Sequence, residues 1–259
     1  MEFQDKVVLI TGGGSGIGYA SAEKFGELGA KLIITGRGQA RISQAVEKLS
    51  QAGYQCEGVS TDVALDKDMK ALFEMVQDKY QRLDVLFINA GVNGTWSPIE
   101  DLTVEHWEET HGINARGTFL CLKYAAPVMK KTGGSIIINS SVNGSRSFSN
   151  PGGMIYASSK SAQCTLGKMA ALELAPYKVR VNVLCPGATT TSLSENTNRT
   201  GLDKLKKWIT YPNGINPLND GVFATSEQVA DAVIFLASEK AAMITGAELH
   251  VDGGLSLIL

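Results

Sequence analysis

The chain has 259 residues, 44% of them hydrophobic and 19% charged, with a formal net charge of −2. That supplies ample apolar material for one compact α/β domain and leaves no basic excess to attract nucleic acid or an acidic membrane surface. No segment approaches the roughly 20 apolar residues that cross a bilayer, and Met1 to Lys6 is too polar to open a secretory leader, so a cytoplasmic protein is expected.

In chain order, the run Val7-Val8-Leu9-Ile10 predicts a first strand over Lys6 to Ile10. A glycine-rich turn, Thr11 to Gly18, leads into a helix over Gly16 to Leu28 that Gly29 stops. A strand over Lys31 to Thr35 and a helix over Gln39 to Ala52, ended by Gly53, come next. They are followed by a strand over Gln55 to Thr61, a helix over Asp66 to Tyr80 and a strand over Val85 to Asn89. Thr103 is a good cap for a long helix over Val104 to Lys130. The remaining strands are Ser135 to Ser140, Arg180 to Leu184 and Glu248 to Val251, with helices at Tyr156 to Ala175 and Ser226 to Ser238, the latter capped by Ser226. Strands alternating with helices indicate parallel βαβ units. Near-continuous Val/Ile/Leu content indicates strands covered on both faces. No repeat or linker supports a boundary, so 1–259 reads as a single domain. The segment from Ala188 to Thr225, rich in Thr, Asn, Gly and Pro, is expected to act as a substrate lid, with a short amphipathic piece at Leu202 to Ile209.

Four cysteines, Cys56, Cys121, Cys164 and Cys185, lie in apolar segments without Cys-x-x-Cys pairing and read as reduced core residues. His106, His111 and His250 are scattered, so no metal site is expected. Trp96, Trp208 and Tyr211 are candidates for apolar pocket walls.

The glycine turn has the spacing G-x-x-x-G-x-G at Gly12, Gly16 and Gly18 rather than G-x-G-x-x-G. Its place between a strand and a helix is what a nucleotide site requires. Glycines let backbone approach a pyrophosphate, and the helix N-terminus offers N–H groups and a favourable dipole. At the end of the second strand a carboxylate would bind the ribose hydroxyls of NAD, whereas an arginine accommodates the 2′-phosphate of NADP. Gly36-Arg37 stands there, with Arg41 as a possible second contact, so NADP(H) is favoured and NAD(H) stays open. Further on, Tyr156 and Lys160 are one helical turn apart. An ammonium there favours the phenolate of a side chain whose ordinary pKa of about 10 makes it a poor acid or base.

Taken in order, Thr11-Gly12-x-x-x-Gly16-x-Gly18, Asp62, Asn89-Ala90-Gly91, Asn114, Ser141, Tyr156-x-x-x-Lys160, Pro186-Gly187 and Val251-Asp252-Gly253-Gly254 resemble the classical short-chain dehydrogenases/reductases along essentially the whole chain. The resemblance implies a Rossmann-type, doubly wound, seven-stranded parallel sheet, a nicotinamide cofactor and a small-molecule carbonyl or alcohol substrate. It assigns Tyr156 as acid/base and Ser141 to the substrate oxygen. Lys160 would lower the tyrosine pKa and hold the nicotinamide ribose. Asn114 would sit in a kinked helix and anchor a water connecting Lys160 to solvent. Gly12, Gly14, Ser15, Gly16, Ile17 and Gly18 would cradle the pyrophosphate and Arg37 the 2′-phosphate. Asp62 would meet the adenine, Asn89, Ala90 and Gly91 would line the cofactor beside the fourth strand, Thr191 would reach its nicotinamide end, and Val63, Pro186, Gly187 and Thr189 would contact it as well. Thr189 departs from the Ile or Val common there. The family spacing of thirteen residues before the tyrosine falls on Asn143; an insertion within Ser145 to Pro151 keeps the role with Ser141. The resemblance also implies a homotetramer or homodimer built on the Val104 and Tyr156 helices. Other readings are 3-oxoacyl-carrier-protein reductase activity, a catalytically inactive NAD(P)-binding scaffold or sensor, and a Rossmann-like methyltransferase. The last needs no Tyr-x-x-x-Lys.

Overall fold

All seven expected strands are present in a computed structural model, which describes residues 1–191, 197–206 and 216–258. They are β1 (Val7–Thr11), β2 (Lys31–Gly36), β3 (Cys56–Ser60), β4 (Val85–Ile88), β6 (Gly134–Asn139), β7 (Val179–Pro186) and β9 (Glu248–Val251). They form one sheet in the order β3-β2-β1-β4-β6-β7-β9, with every pairing parallel. This is the doubly wound Rossmann-type arrangement. From β1 the chain winds outward to β2 and β3, then returns to place β4 on β1's other side. The crevice at that reversal is where such sheets bind ligands.

Successive strand residues face opposite sides, and two cores result. Val7, Leu9, Leu86, Ile88, Ile136 and Ile138 pack under α3 (Asp66–Tyr80), α5 (Gly117–Met129) and α6 (Met154–Leu174). Val8, Ile10, Leu32, Ile34, Phe87 and Ile137 pack under α1 (Gly16–Glu27), α2 (Gln39–Gln51) and α7 (Ser226–Ala237).

Three expectations are revised. The helix foreseen over Val104 to Lys130 is α4 (Val104–His111), a π turn (Gly112–Arg116) and α5. Thr103 caps α4 as expected, and His106 completes a capping box through Nδ1. The cap of α7 is Thr225 rather than Ser226. Thr225 Oγ1 accepts from Gln228 N while Gln228 Oε1 accepts from Thr225 N, and Ser226 Oγ is spent on Thr190 O at 3.2 Å. The third revision is a two-stranded parallel sheet that the sequence did not signal, β5 (Thr95–Trp96) with β8 (Asn198–Arg199). Of the expected lid, Leu202–Lys204 forms a 3-10 turn; Trp208 and Tyr211 lie outside the described residues. No helix among the described residues is long and apolar enough to cross a membrane.

Candidate active site

The site is a cleft of about 780 Å³ along the carboxyl ends of the strands, running from Arg37 and Arg41 to Ser141 and Tyr156. Its floor is the glycine turn. Gly12 holds φ +67°, and a Cβ there would lie 3.0 Å from Ala90 Cα. At Gly18 a Cβ would sit 2.3 Å from Gly12 O, so this glycine lets α1 close onto the turn instead of lining the cleft. Gly14, Ser15, Gly16 and Ile17 do line it. Ser15 makes no side-chain capping bond and the first turn of α1 carries no acidic residue, so its N–H groups and dipole favour an anion. These residues fit the pyrophosphate of a dinucleotide.

The turn is clamped by side chains at the neighbouring strand ends. Thr11 Oγ1 accepts from Asn89 N at 2.9 Å and Ala90 N at 3.1 Å, and Asn89 Nδ2 donates to Thr11 O and Gly12 O, both at 3.1 Å. Ala90 and Gly91 continue the cleft wall. Val63 lines the cleft, whereas Asp62, expected at the adenine, turns its Oδ1 back to accept from Ala64 N at 2.9 Å. Pro186, Thr189 and Thr191 line the far end, whereas Gly187 packs where a Cβ would lie 2.8 Å from Asp252. A parallel bridge between Thr189 and Ala224 fixes this segment to the residues before α7.

At the chemical end, Tyr156 and Lys160 project from the first turns of α6, with Tyr156 8% and Lys160 4% exposed. The Ser141 hydroxyl is hydrogen-bonded to the Tyr156 phenol and pulls its pKa down, but burial pushes harder and the phenol ends above its ordinary value. That revises the expected lowering by Lys160. Its Nζ sits 5.8 Å from the Tyr156 ring centre and is engaged by Asn139 O and Gln163 Oε1, each at 2.9 Å. Burial without a carboxylate partner lowers the Lys160 pKa to about 8. Ser141, and not Asn143, lines the cleft; Asn143 instead donates its N–H to Ser141 Oγ at 3.2 Å. Ser140 also lines the cleft, but its hydroxyl is spent on Lys160 O at 2.8 Å. The Trp96 ring lies 6.1 Å from that of Tyr156.

Asn114 occupies the π turn and does not line the cleft. Its side chain pairs with both backbone groups of Val92 and with Ser159 Oγ, each at 2.9 Å. Its backbone carbonyl accepts from Thr118 Oγ1 at 2.7 Å and Gln163 Nε2 at 3.1 Å. Asn139 and Gln163 thus belong to the site and were not foreseen. A signal existed for Gln163: a long polar amide three residues after Lys160, on the same face of the helix. Asn139, at the end of an apolar strand, carried none.

A family model described as enoyl-(acyl carrier protein) reductase matches residues 12–256. Short-chain dehydrogenase reductase 3a of Arabidopsis thaliana is 33% identical over 100% of this chain and 98% of its own. The chain belongs to the short-chain dehydrogenase/reductase family. A solved structure titled as a 3-ketoacyl-ACP reductase from Sinorhizobium meliloti 1021 superimposes with a TM-score of 0.93, at 38% identity over 98% of this chain and 100% of that one. A 3beta-hydroxysteroid dehydrogenase of Mediterraneibacter gnavus is 32% identical over 98% of this chain and 96% of its own. As a short-chain dehydrogenase/reductase the protein is a nicotinamide-dependent oxidoreductase acting on CH–OH groups.

Proposed function

We propose that the protein is a cytoplasmic NADPH-dependent carbonyl reductase, reversible as an alcohol dehydrogenase, with 1–259 acting as one domain. The observation that carries this reading is the joint lining of one cleft by Arg37 and Arg41 at one end, the glycine turn between, and Ser141, Tyr156 and Lys160 at the other. No carboxylate among the described residues lines the end where Arg37 stands. Two guanidiniums suit a 2′-phosphate there.

The nicotinamide, when bound, supplies the hydride to the carbonyl carbon or takes it from the alcohol. Ser141 holds the substrate oxygen by a hydrogen bond. The oxygen gains negative charge as the carbon is reduced, and the Tyr156 O–H, kept protonated by burial, transfers its proton to it. Lys160, held at the foot of the tyrosine, keeps positive charge beside the developing oxyanion and has an N–H left for the ribose. Asn114 fixes the π turn against Val92. Asp62 keeps the turn that presents Val63, while Pro186, Gly187, Thr189 and Thr191 shape the nicotinamide end. Phe119, Met169 and Leu172 stand exposed on α5 and α6 and support assembly as a homotetramer or homodimer through those helices.

Titration with NADPH and, separately, NADH, followed by nicotinamide fluorescence, tests the reading. Tight binding of NADPH alone supports it. Preference for NADH removes Arg37 from the phosphate site, and binding of neither favours a scaffold. A 3-oxoacyl thioester is the second candidate substrate, favoured by the likeness to the Sinorhizobium structure; reduction of acetoacetyl thioesters in preference to simple ketones would select it.

A further inference from the structure

Gln163 stands on α6 three residues beyond Lys160 and is fully buried. A buried amide is costly unless its groups find partners, and here both ends do. Oε1 accepts from Lys160 Nζ at 2.9 Å; Nε2 donates to Thr118 Oγ1 at 2.8 Å and to Asn114 O at 3.1 Å. Thr118 Oγ1 spends its own proton on Asn114 O at 2.7 Å, so it can only accept from the amide. The amide therefore has one workable orientation, because a flip would set its NH2 against the ammonium.

We propose that Gln163 is a positioning residue for the hydride-transfer site, its amide spanning the gap from the Asn114 carbonyl to the Lys160 ammonium where the family resemblance puts a water. The catalytic consequence rests on the role given to Lys160 above; the bridge itself does not. An ammonium has three N–H donors. Asn139 O and Gln163 Oε1 take two and leave one for the cleft. A water in the bridge would exchange protons with solvent. An amide neither releases nor accepts a proton near neutrality, so the path through Asn114 is closed and Lys160 gains or loses its proton from the cleft side. The titratable groups facing Lys160 are the Tyr156 phenol and the Cys164 thiol on its own helix and the Cys185 thiol on β7. The β6 end contributes neutral Asn139 and Ser140, and the π turn and α5 contribute neutral Asn114 and Thr118.

The test is a pH titration of the Lys160 Cε resonance in protein carrying 13C-labelled lysine, the resonance being assigned by its loss in Lys160→Met. In Gln163→Glu, the same size but anionic, the Lys160 pKa should rise by about one unit or more. In Gln163→Met, similar in length but without an acceptor, it should fall by about one unit. Titration within about 0.3 unit of the parent in folded Gln163→Glu protein would overturn the proposal, whatever Gln163→Met does. Kinetics with 9,10-phenanthrenequinone and NADPH form a second arm. The alkaline limb of kcat should move with the Lys160 titration while KM changes less than about twofold, and a limb that stays put would remove the catalytic role. A shifted resonance in a protein that reduces nothing sinks the reductase reading and leaves the bridge standing.

Discussion

Asn139 Nδ2 donates to Asn89 Oδ1 at 2.9 Å, and through this bond the two ends of the cleft are mechanically one. On one side Asn89 grips the carbonyls of Thr11 and Gly12; on the other the Asn139 carbonyl accepts from Lys160. The glycine turn and the lysine are thus referenced to the same pair of strand ends, β4 and β6, rather than to separate loops.

Asn89→Ala removes the grip and leaves two turn carbonyls and the Asn139 amide without their partner. A loss of about 1–3 kcal/mol is expected, seen as a fall of several degrees in Tm. NADPH affinity should weaken about tenfold in fluorescence titration, because the turn that faces the pyrophosphate is released. Unchanged affinity at a lowered Tm would confine Asn89 to stability.

Tyr156→Phe keeps the ring beside Trp96 and deletes only the acid. Turnover of a carbonyl probe should drop by about 10²–10⁴ while NADPH binding stays within about twofold of the parent. Substantial retained activity would move the proton donor elsewhere.

Arg37→Asp reverses the charge at the end of β2. NADPH binding should weaken by about ten- to a hundredfold, as loss of a charge-assisted pair costs roughly 1.5–3 kcal/mol, and NADH should become the better ligand. Parallel titrations with the two cofactors read this directly; a constant ratio would assign the phosphate to another group.

Lys160 gives a pH dependence with a definite sign. Its folded pKa, about 8, lies below the ordinary 10.5, so the ammonium is present below about pH 8 and lost above it. Carbonyl reduction should therefore decline as pH rises through that value. Stability runs the other way. Between pH 8 and 10 the unfolded chain keeps a proton that the folded chain has released, so the Lys160 contribution to folding grows with pH across that window, by an amount on the order of 3 kcal/mol if carried through to 10.5. A pH series of Tm values should show this slope in the parent and lose it in Lys160→Met; parallel slopes would contradict the depressed pKa.

Much of this molecule could be read from its residues because the signals are local. Val7 to Ile10 and Ile136 to Ile138 announce buried strands by composition alone, and the glycines between β1 and α1 announce a turn that backbone must approach. Tyr156 and Lys160 carry their meaning in a spacing of one helical turn. What stayed hidden depends on partners far away in sequence. The displacement of the α7 cap from Ser226 to Thr225 follows from Thr190 claiming the serine hydroxyl. The direction of the Tyr156 shift depends on how deeply folding buries the ring, and the occupant of the Asn114 carbonyl depends on a side chain 49 residues on. Pairing of Trp96 with Arg199 joins segments that share no pattern.

The π turn at Gly112–Arg116 decides which face α5 turns to the sheet. It is one residue too many for an ordinary helix, so a single deletion within it would restore regular winding between α4 and α5. The widened turn absorbs that residue, so α5 keeps its orientation; winding all five residues regularly would instead rotate everything after them by about 100° relative to everything before. Leu120, Cys121, Ala125 and Val128 would then leave the sheet they now cover. The extra residue is thus held within the turn, which lets α5 keep its apolar face on the sheet.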